Sequence, residues 1–290
     1  MVLKMLRSLP QLLKNIRKER KLLENIISDY KIDIVISDNR YGLQSKNATC
    51  VFITHQLNIQ SPGMLKIFEY FLKQINKYYI KKFSECWVPD FNNSNSISGE
   101  LTKGFEQFGK VFFIGMLSRF NKPLTSSQDQ KKLNDLLVIL SGPEPQRTIF
   151  ENIVLEQLKD NKNLKVLIVR GITESNEVAD VTENIRMVSH LPTQQMAQAI
   201  SDAGIILCRP GYSSIMDLVT LGKKAIFVPT PGQTEQEYLA TYYMRKNIFY
   251  TVKQKRFNLS KALEKSGFYN GLKAANDYKV LDERIQFLLN

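Results

Sequence analysis

Cysteine is scarce in this sequence: Cys50, Cys86 and Cys208 are its three. They are far apart and odd in number, which excludes a disulfide framework and a CxxC metal site. Each lies in an apolar stretch, as expected of buried thiols in a reducing cytoplasm. Long hydrophobic runs are also missing, and none approaches the ~20 residues that span a bilayer. Residues 1–28 are basic throughout and lack a small-residue cleavage site, so they do not read as a signal peptide. No Walker or GxGxxG loop occurs, and there is no nucleic-acid motif and no basic–aromatic interleaving. Histidine is limited to His55 and His190, which leaves few candidates for proton transfer.

What is present is a chain of 290 residues, 43% hydrophobic and 23% charged, with a net charge of +12. That length suits one large domain or two of ordinary size. The charge is uneven. Residues 1–125 hold 19 Lys and Arg against 10 Asp and Glu, or +9; residues 126–290 hold 21 against 18, or +3. A basic half of this kind attracts phosphates or an anionic membrane surface, or simply keeps the chain in solution.

Apolar residues at three- and four-residue steps, Leu6 to Ile27, predict an opening helix, capped by Ser8 with Pro10 in its first turn. Packing on a sheet is the simpler reading of that helix, ahead of a membrane-surface role. Four short runs, Ile32–Ser37, Cys50–Thr54, Glu85–Val88 and Val111–Ile114, read as buried parallel strands, with a helix over Leu65–Lys82. The polar stretch Asn121–Gln130 reads as a linker. Strand and helix alternation then restarts at Leu136 and continues to a final helix over Asp277–Leu289. The whole is α/β, with a doubly wound second half. The expected divisions are 1–122, a linker at 123–132, a second domain at 133–276, and a terminal helix 277–290 that packs back on the first domain. The first half opens on a helix and shows only four strands. It reads as lacking two or three strand–helix units, roughly 60–90 residues at ~30 per unit.

The most informative stretch runs from Cys208 to Gly222. A strand ends, a tight turn through Arg209 and Gly211 follows, and a helix opens with Tyr212, Ser213 and Ser214. Amides and hydroxyls at such a helix start suit a diphosphate. Asp217, one turn on, is placed to accept from ribose hydroxyls. The bland alternative is that Ser213 caps the helix and Asp217 favours its dipole. The loop from Val228 to Tyr238 brings Gln233, Gln236 and Glu237 to a helix start, where they can read sugar hydroxyls or lie solvated. Ser189–Pro192 offers His190 and the backbone of Leu191. Ser141–Arg147 follows the first strand of the second half, the usual ligand position, and puts Arg147 where a phosphate could lie.

In this order the loops resemble glycosyltransferase family 28, which includes a peptidoglycan-precursor N-acetylglucosaminyltransferase. Arg209, Gly211, Ser214 and Asp217 match the family's Arg-x-Gly-x-x-(Ser/Thr) turn and its acidic residue. Val228, Pro229 and Gln236 match its Val-Pro to Gln-Gln loop, with Glu237 in place of the second Gln. His190, Leu191 and Met196 match its base-binding loop. Thr54–Asn58 is similar to its His-Glu-Gln-Asn loop. Ser141–Arg147 and Ile36–Arg40 resemble those of Bacteroidetes-type members. Two departures stand out. The family's Gly-Gly-Ser-Gln-Gly loop is replaced by Ser141–Gln146, and its opening Gly-rich loop ending in His has no counterpart.

The resemblance implies a GT-B fold, two Rossmann-like domains facing a cleft, the first incomplete. It implies a donor site at Ser141, Arg147, His190, Leu191, Arg209, Gly211, Tyr212, Ser213, Ser214, Asp217, Gln233, Gln236 and Glu237. Acceptor-side residues would be Asn39, Arg40, His55 and Asn58, with His55 the available base. The implied reaction is inverting and metal-independent transfer of a hexose or N-acetylhexosamine from a nucleotide-diphosphate sugar, UDP-linked by preference. No cofactor is expected. The acceptor would be lipid-linked or phosphorylated, at the cytoplasmic face of a membrane. A partner-dependent nucleotide-sugar-binding subunit and a sugar-nucleotide epimerase of the same fold are the alternatives.

Overall fold

The computed structural model describes the chain except for residues 1, 59–65, 94, 106–107, 121–132 and 275–277. It divides into two compact units. One comprises Met1–Met116 and Asp277–Asn290, the other Leu117–Asn276. The expected linker at 123–132 lies outside the described residues.

The first unit opens on helix α1 (Val2–Tyr30), which contains Pro10. The expected start at Ser8 is therefore not a terminus. A proline removes one N–H donor, and the helix continues on both sides of it. Leu23 and Ile27 are buried, whereas Leu13 is exposed, so the later turns of α1 pack. Strands β1 (Ile34–Asp38), β2 (Thr49–Ile53), β3 (Glu85–Val88) and β4 (Val111–Phe113) form a sheet in that order. All three pairings are parallel. Helix α2 (Lys66–Ile80) connects β2 to β3. The core gathers Phe52, Leu57, Ile80, Phe83 and Phe105. Gly42 lets the loop after β1 approach α1, since a Cβ there would stand 2.8 Å from the Ile16 carbonyl.

The last helix, α8 (Lys279–Leu289), belongs to this unit. Glu85, buried on β3, accepts from the Trp87 indole at 2.6 Å and from Arg284 of α8 at 3.2 Å. The Arg284 guanidinium also lies 4.5 Å from the Phe112 ring centre. Burying a carboxylate without hydrogen-bond partners is costly, and here the partners tie α8 to β3 and β4.

In the second unit, strands β5 (Asn134–Ile139), β6 (Val166–Val169), β7 (Val178–Thr182), β8 (Ile185–Val188), β9 (Ala203–Cys208), β10 (Ala225–Phe227) and β11 (Tyr250–Thr251) form one sheet. Its order is β11-β10-β9-β5-β6-β8-β7. Every pairing is parallel except β7 with β8. The helices are α3 (Gln146–Leu158), α4 (Thr193–Asp202), α5 (Tyr212–Thr220), α6 (Thr234–Arg245) and α7 (Leu259–Ser266). The chain starts this sheet in the middle, at β5, builds outward through β6 and β8, then returns to the other side of β5 with β9. The strand order therefore switches between β5 and β9, and an open α/β sheet forms its ligand crevice at such a point.

Three elements of this unit are not evident in the sequence. All five residues of β7 are exposed, so burial leaves no pattern to read. Strand β11 has two residues, and α7 buries only Leu259, Ala262 and Ser266. The division also falls at Met116–Leu117 and not at residue 122. Ser118 and Arg119 explain the difference, because both bond to Asp217 of α5.

Candidate functional site

The crevice is built from loops at the carboxyl ends of parallel strands. Ile139 of β5 pairs with Cys208 of β9, so the loops that follow, Ser141–Arg147 and Arg209–Gly211, leave the sheet side by side. Val228 takes its backbone bond from the end of β9, its N–H donating to the Cys208 carbonyl at 3.0 Å, which brings the third loop alongside.

Helix α5 begins directly after this turn, and Gly211 at its N-cap provides no side-chain cap. The first intrahelical bond is Ile215 N–H to the Gly211 carbonyl at 3.0 Å. The amides ahead of it have no intrahelical acceptor. No acidic residue lies in the first turn, so the positive end of the helix dipole is unshielded. Ser213 is exposed and Ser214 half-buried. Gly211 has an ordinary φ of −74°, and a Cβ there would meet only the Ser214 hydroxyl, at 3.8 Å. Neither backbone strain nor crowding within the protein calls for glycine at this position.

The starts of α3 and α6 differ, whereas that of α4 likewise has no side-chain cap and no acidic residue in its first turn. Glu144 covers the start of α3, accepting from Thr148 N–H at 3.2 Å. The carboxylate of Glu144 also receives Arg147 Nε at 2.9 Å and Nη2 at 2.7 Å, which with the Thr148 bond holds it below its usual range. Arg147 donates its remaining nitrogen to the Gly171 carbonyl at 2.9 Å. This guanidinium, expected to face a phosphate, is held instead by Glu144 and Gly171. At α6, Gln236 Oε1 accepts from Thr230 N–H at 2.8 Å and Glu237 Oε1 from Gly232 N–H at 3.1 Å. Both side chains brace their own loop, and Gln233 is the N-cap residue. Before α4, His190 Nδ1 lies 2.9 Å from the Ser175 carbonyl. A carbonyl only accepts, so Nδ1 carries a proton in this contact. Leu191 follows it, half-buried.

Arg209 departs most from expectation. The sequence places it as a donor ligand, yet it is 1% exposed. Its guanidinium donates to the Val228 carbonyl at 2.9 Å, the Gln146 carbonyl at 3.1 Å and Gln254 Oε1 at 2.7 Å. It lies 4.2 Å from the centre of the Phe150 ring. Burial pulls its pKa down to about 10. Arg209 thus acts beneath the crevice, tying the ends of β5, β9 and β10 together. Tyr212 is buried as well. Gln254, which sequence reasoning missed, completes the tie by donating to Gln146 Oε1 at 3.2 Å.

Asp217 is also partly committed. It is buried on α5, and its oxygens accept from Ser118 Oγ at 2.8 Å and Arg119 Nε at 2.9 Å. Burial raises its pKa, against the pull of Ser118 and Arg119. Each oxygen keeps a lone pair beyond these bonds.

In the first unit, Asn39 adopts left-handed backbone at φ 55°. Its side-chain oxygen accepts from Thr54 Oγ1 at 3.2 Å, which sets the loops after β1 and β2 together beside the half-buried His55. Arg40 and Asn58 are engaged elsewhere. Arg40 pairs with Glu19 of α1 at 2.6 Å, and Asn58 donates to the carbonyls of Glu100 and Lys103 at 2.8 and 2.7 Å. These bonds hold the loops in place. The sequence also gave no sign of Asp90, fully buried after β3. It accepts from the amides of Phe91, Ile97 and Ser98 and the hydroxyls of Ser96 and Ser98.

The profile of the glycosyltransferase family 28 C-terminal domain matches residues 127–277, more than half of the chain. The chain belongs to glycosyltransferase family 28. It is 24% identical over 266 residues to the UDP-N-acetylglucosamine--N-acetylmuramyl-(pentapeptide) pyrophosphoryl-undecaprenol N-acetylglucosamine transferase of Thermoanaerobacter sp. (strain X514). That match covers 84% of this chain and 67% of the relative. The fold is similar to the glycosyltransferase of kitacinnamycin, with TM-score 0.64 and 12% identity, covering 97% of this chain and 83% of the other. It is also similar to the UDP-GlcNAc 2-epimerase of Methanocaldococcus jannaschii, with TM-score 0.52 and 12% identity, covering 94% and 81%. Both likenesses speak for the GT-B fold alone. Family membership places the chain among the glycosyltransferases.

Proposed function

We propose that this chain transfers a hexose or N-acetylhexosamine from a UDP-linked sugar to an acceptor hydroxyl, with inversion and without a metal ion. The observation that carries the reading is the start of α5. Among the described residues no side chain caps this helix end at the β5–β9 switch and no acidic residue lies in its first turn, whereas Glu144 covers the start of α3. A leaving diphosphate gains negative charge as the glycosidic bond breaks. Fixed amides and the hydroxyls of Ser213 and Ser214 stabilise that charge without reorganising. The acceptor oxygen bonds to the anomeric carbon as the diphosphate departs, and a base takes the acceptor proton. We assign that role to His55. The name of the Thermoanaerobacter relative gives UDP-N-acetylglucosamine as its donor and a pyrophosphoryl-undecaprenol as its acceptor, which supports the same classes here.

The test is UDP release from UDP-N-acetylglucosamine in EDTA, with and without a lipid-diphosphate sugar acceptor. Release is expected only with acceptor, giving a product of inverted anomeric configuration. His55→Ala should slow it by about 100-fold or more. Conversion of the donor to its 2-epimer without acceptor would support the epimerase reading instead. UDP binding with no release would favour a partner-dependent subunit.

We place the site of action at an anionic membrane surface, on the cytoplasmic side. No described helix is long and apolar enough to cross a membrane. Helix α2, however, exposes Phe71, Ile75 and Tyr78 at four- and three-residue steps, with Tyr70 beside them. Lys82 lies 4.2 Å from the Tyr78 ring centre, and Lys81 is exposed next to it. Aromatic side chains flanked by lysines fit a headgroup layer. Phe71→Ser with Tyr78→Ser should cut sedimentation with phosphatidylglycerol vesicles about tenfold and leave the melting temperature unchanged. Equal sedimentation of variant and wild type would remove this face from the account.

A further inference from the structure

A cavity of about 770 Å³ lies in the second unit, between α6 and the segment that follows β11. Its volume falls in the range of small-molecule sites, roughly 300–1,000 Å³. One wall is a single face of α6, with Ala240, Met244 and Arg245 at helical spacing. The facing wall is the turn Lys253–Arg256, and Tyr269 contributes an aromatic ring. Pro229 and Pro231 close the end nearest the Val228–Tyr238 loop.

Four cations line this cavity: Arg245, Lys253, Lys255 and Arg256. None pairs with a carboxylate among the described residues. The lone lining carboxylate, Glu237, accepts from the Gly232 amide. Four positive charges against one negative, gathered in a concavity, focus a positive potential there. The floor between them is apolar, with Ala240 and Pro229 buried, Tyr269 half-buried and the Met244 side chain exposed to an apolar ligand. Solubilising lysines belong on convex, polar surface, and these sit around an apolar hollow. The wall that carries them is held in place from below, because Gln254 is buried and bonded to Arg209 and Gln146. The two arginines supply planar forks suited to phosphate oxygens.

We propose that this cavity binds an organic phosphate or diphosphate that bears an apolar group, separately from the crevice at β5 and β9. The anionic part lies against Lys253, Arg256 and their neighbours, and the apolar part covers Met244 and Tyr269. The site stands on its own residues and does not require the donor reading. Its ligand would, however, touch the loop that carries Gln236 and Glu237.

The experiment is calorimetric titration of the full chain with geranyl diphosphate and, separately, with inorganic pyrophosphate. Three proteins are compared: wild type, Lys253→Ala/Arg256→Ala, and Gly211→Val. Both cations replaced are exposed, so the double variant should melt with the wild type. Geranyl diphosphate is expected to bind wild type and Gly211→Val alike, and at least tenfold more weakly to the double variant. Pyrophosphate should bind wild type several-fold more weakly than geranyl diphosphate, because it leaves the floor uncovered. Unchanged affinity in the double variant overturns the proposal. Loss confined to Gly211→Val also overturns it, by placing the ligand in the crevice. Equal affinity for the two probes contradicts the apolar half of the site and indicates a free-anion site.

Discussion

Replacing Arg209 with alanine should lower the stability of the second unit by about 3 kcal/mol and its melting temperature by about 10 °C. Three acceptors lose their donor at once: the carbonyls of Val228 and Gln146, and Gln254 Oε1. The Phe150 ring, itself 1% exposed, loses the cation stacked on it. Truncating a buried hydrogen-bonded charge costs the desolvation of every partner left behind, which exceeds the worth of the bonds themselves. Arg209→Lys should recover less than half of the loss, since a single ammonium cannot replace a fork that reaches three acceptors. Thermal unfolding followed by calorimetry measures both. A melting temperature within 2 °C of wild type for the alanine variant would mean that Arg209 does not hold these loops.

The fate of Arg209 shows where the sequence stops being legible. An arginine just before a glycine turn and a helix reads, through the family resemblance, as a donor-site residue. Burial of that side chain depends on Gln146, Val228 and Gln254, which lie 63, 19 and 45 residues away. No local pattern reports them. Arg147 was misread for the opposite reason. Its partner Glu144 lies three residues away, but Glu144 stands in the turn ahead of α3 and Arg147 inside the helix, so no shared helix face announces the pair. The buried strands were legible because parallel strands covered on both faces leave unbroken apolar runs. The sequence reading of Glu85–Val88 matches β3 to the residue. Strand β7, exposed along its whole length, left no such trace. The start of α5 was legible as a strand, a turn and two serines. That it is uncovered was not, because this depends on what the neighbouring loops do with Glu144, Gln236 and Glu237.

The second large effect concerns Gly211. Its backbone is extended, and a Cβ would meet only the Ser214 hydroxyl, at 3.8 Å. Valine tolerates that backbone, so the fold should lose no more than about 1 kcal/mol, the scale of a changed N-cap. The space a valine side chain fills is where a diphosphate must approach the first amides of α5. The fold should survive and the ligand should not. A merely structural glycine would show the reverse pattern, with stability falling and binding following it.

The most direct measurement is therefore a metal-free calorimetric titration of UDP into the wild-type chain and into Gly211→Val, with the melting temperature of each recorded. The account predicts that wild type binds UDP and that the variant, melting within a few degrees of it, binds more than tenfold more weakly. Equal UDP affinity in a folded variant, or no binding by folded wild type, would contradict a donor site at the start of α5.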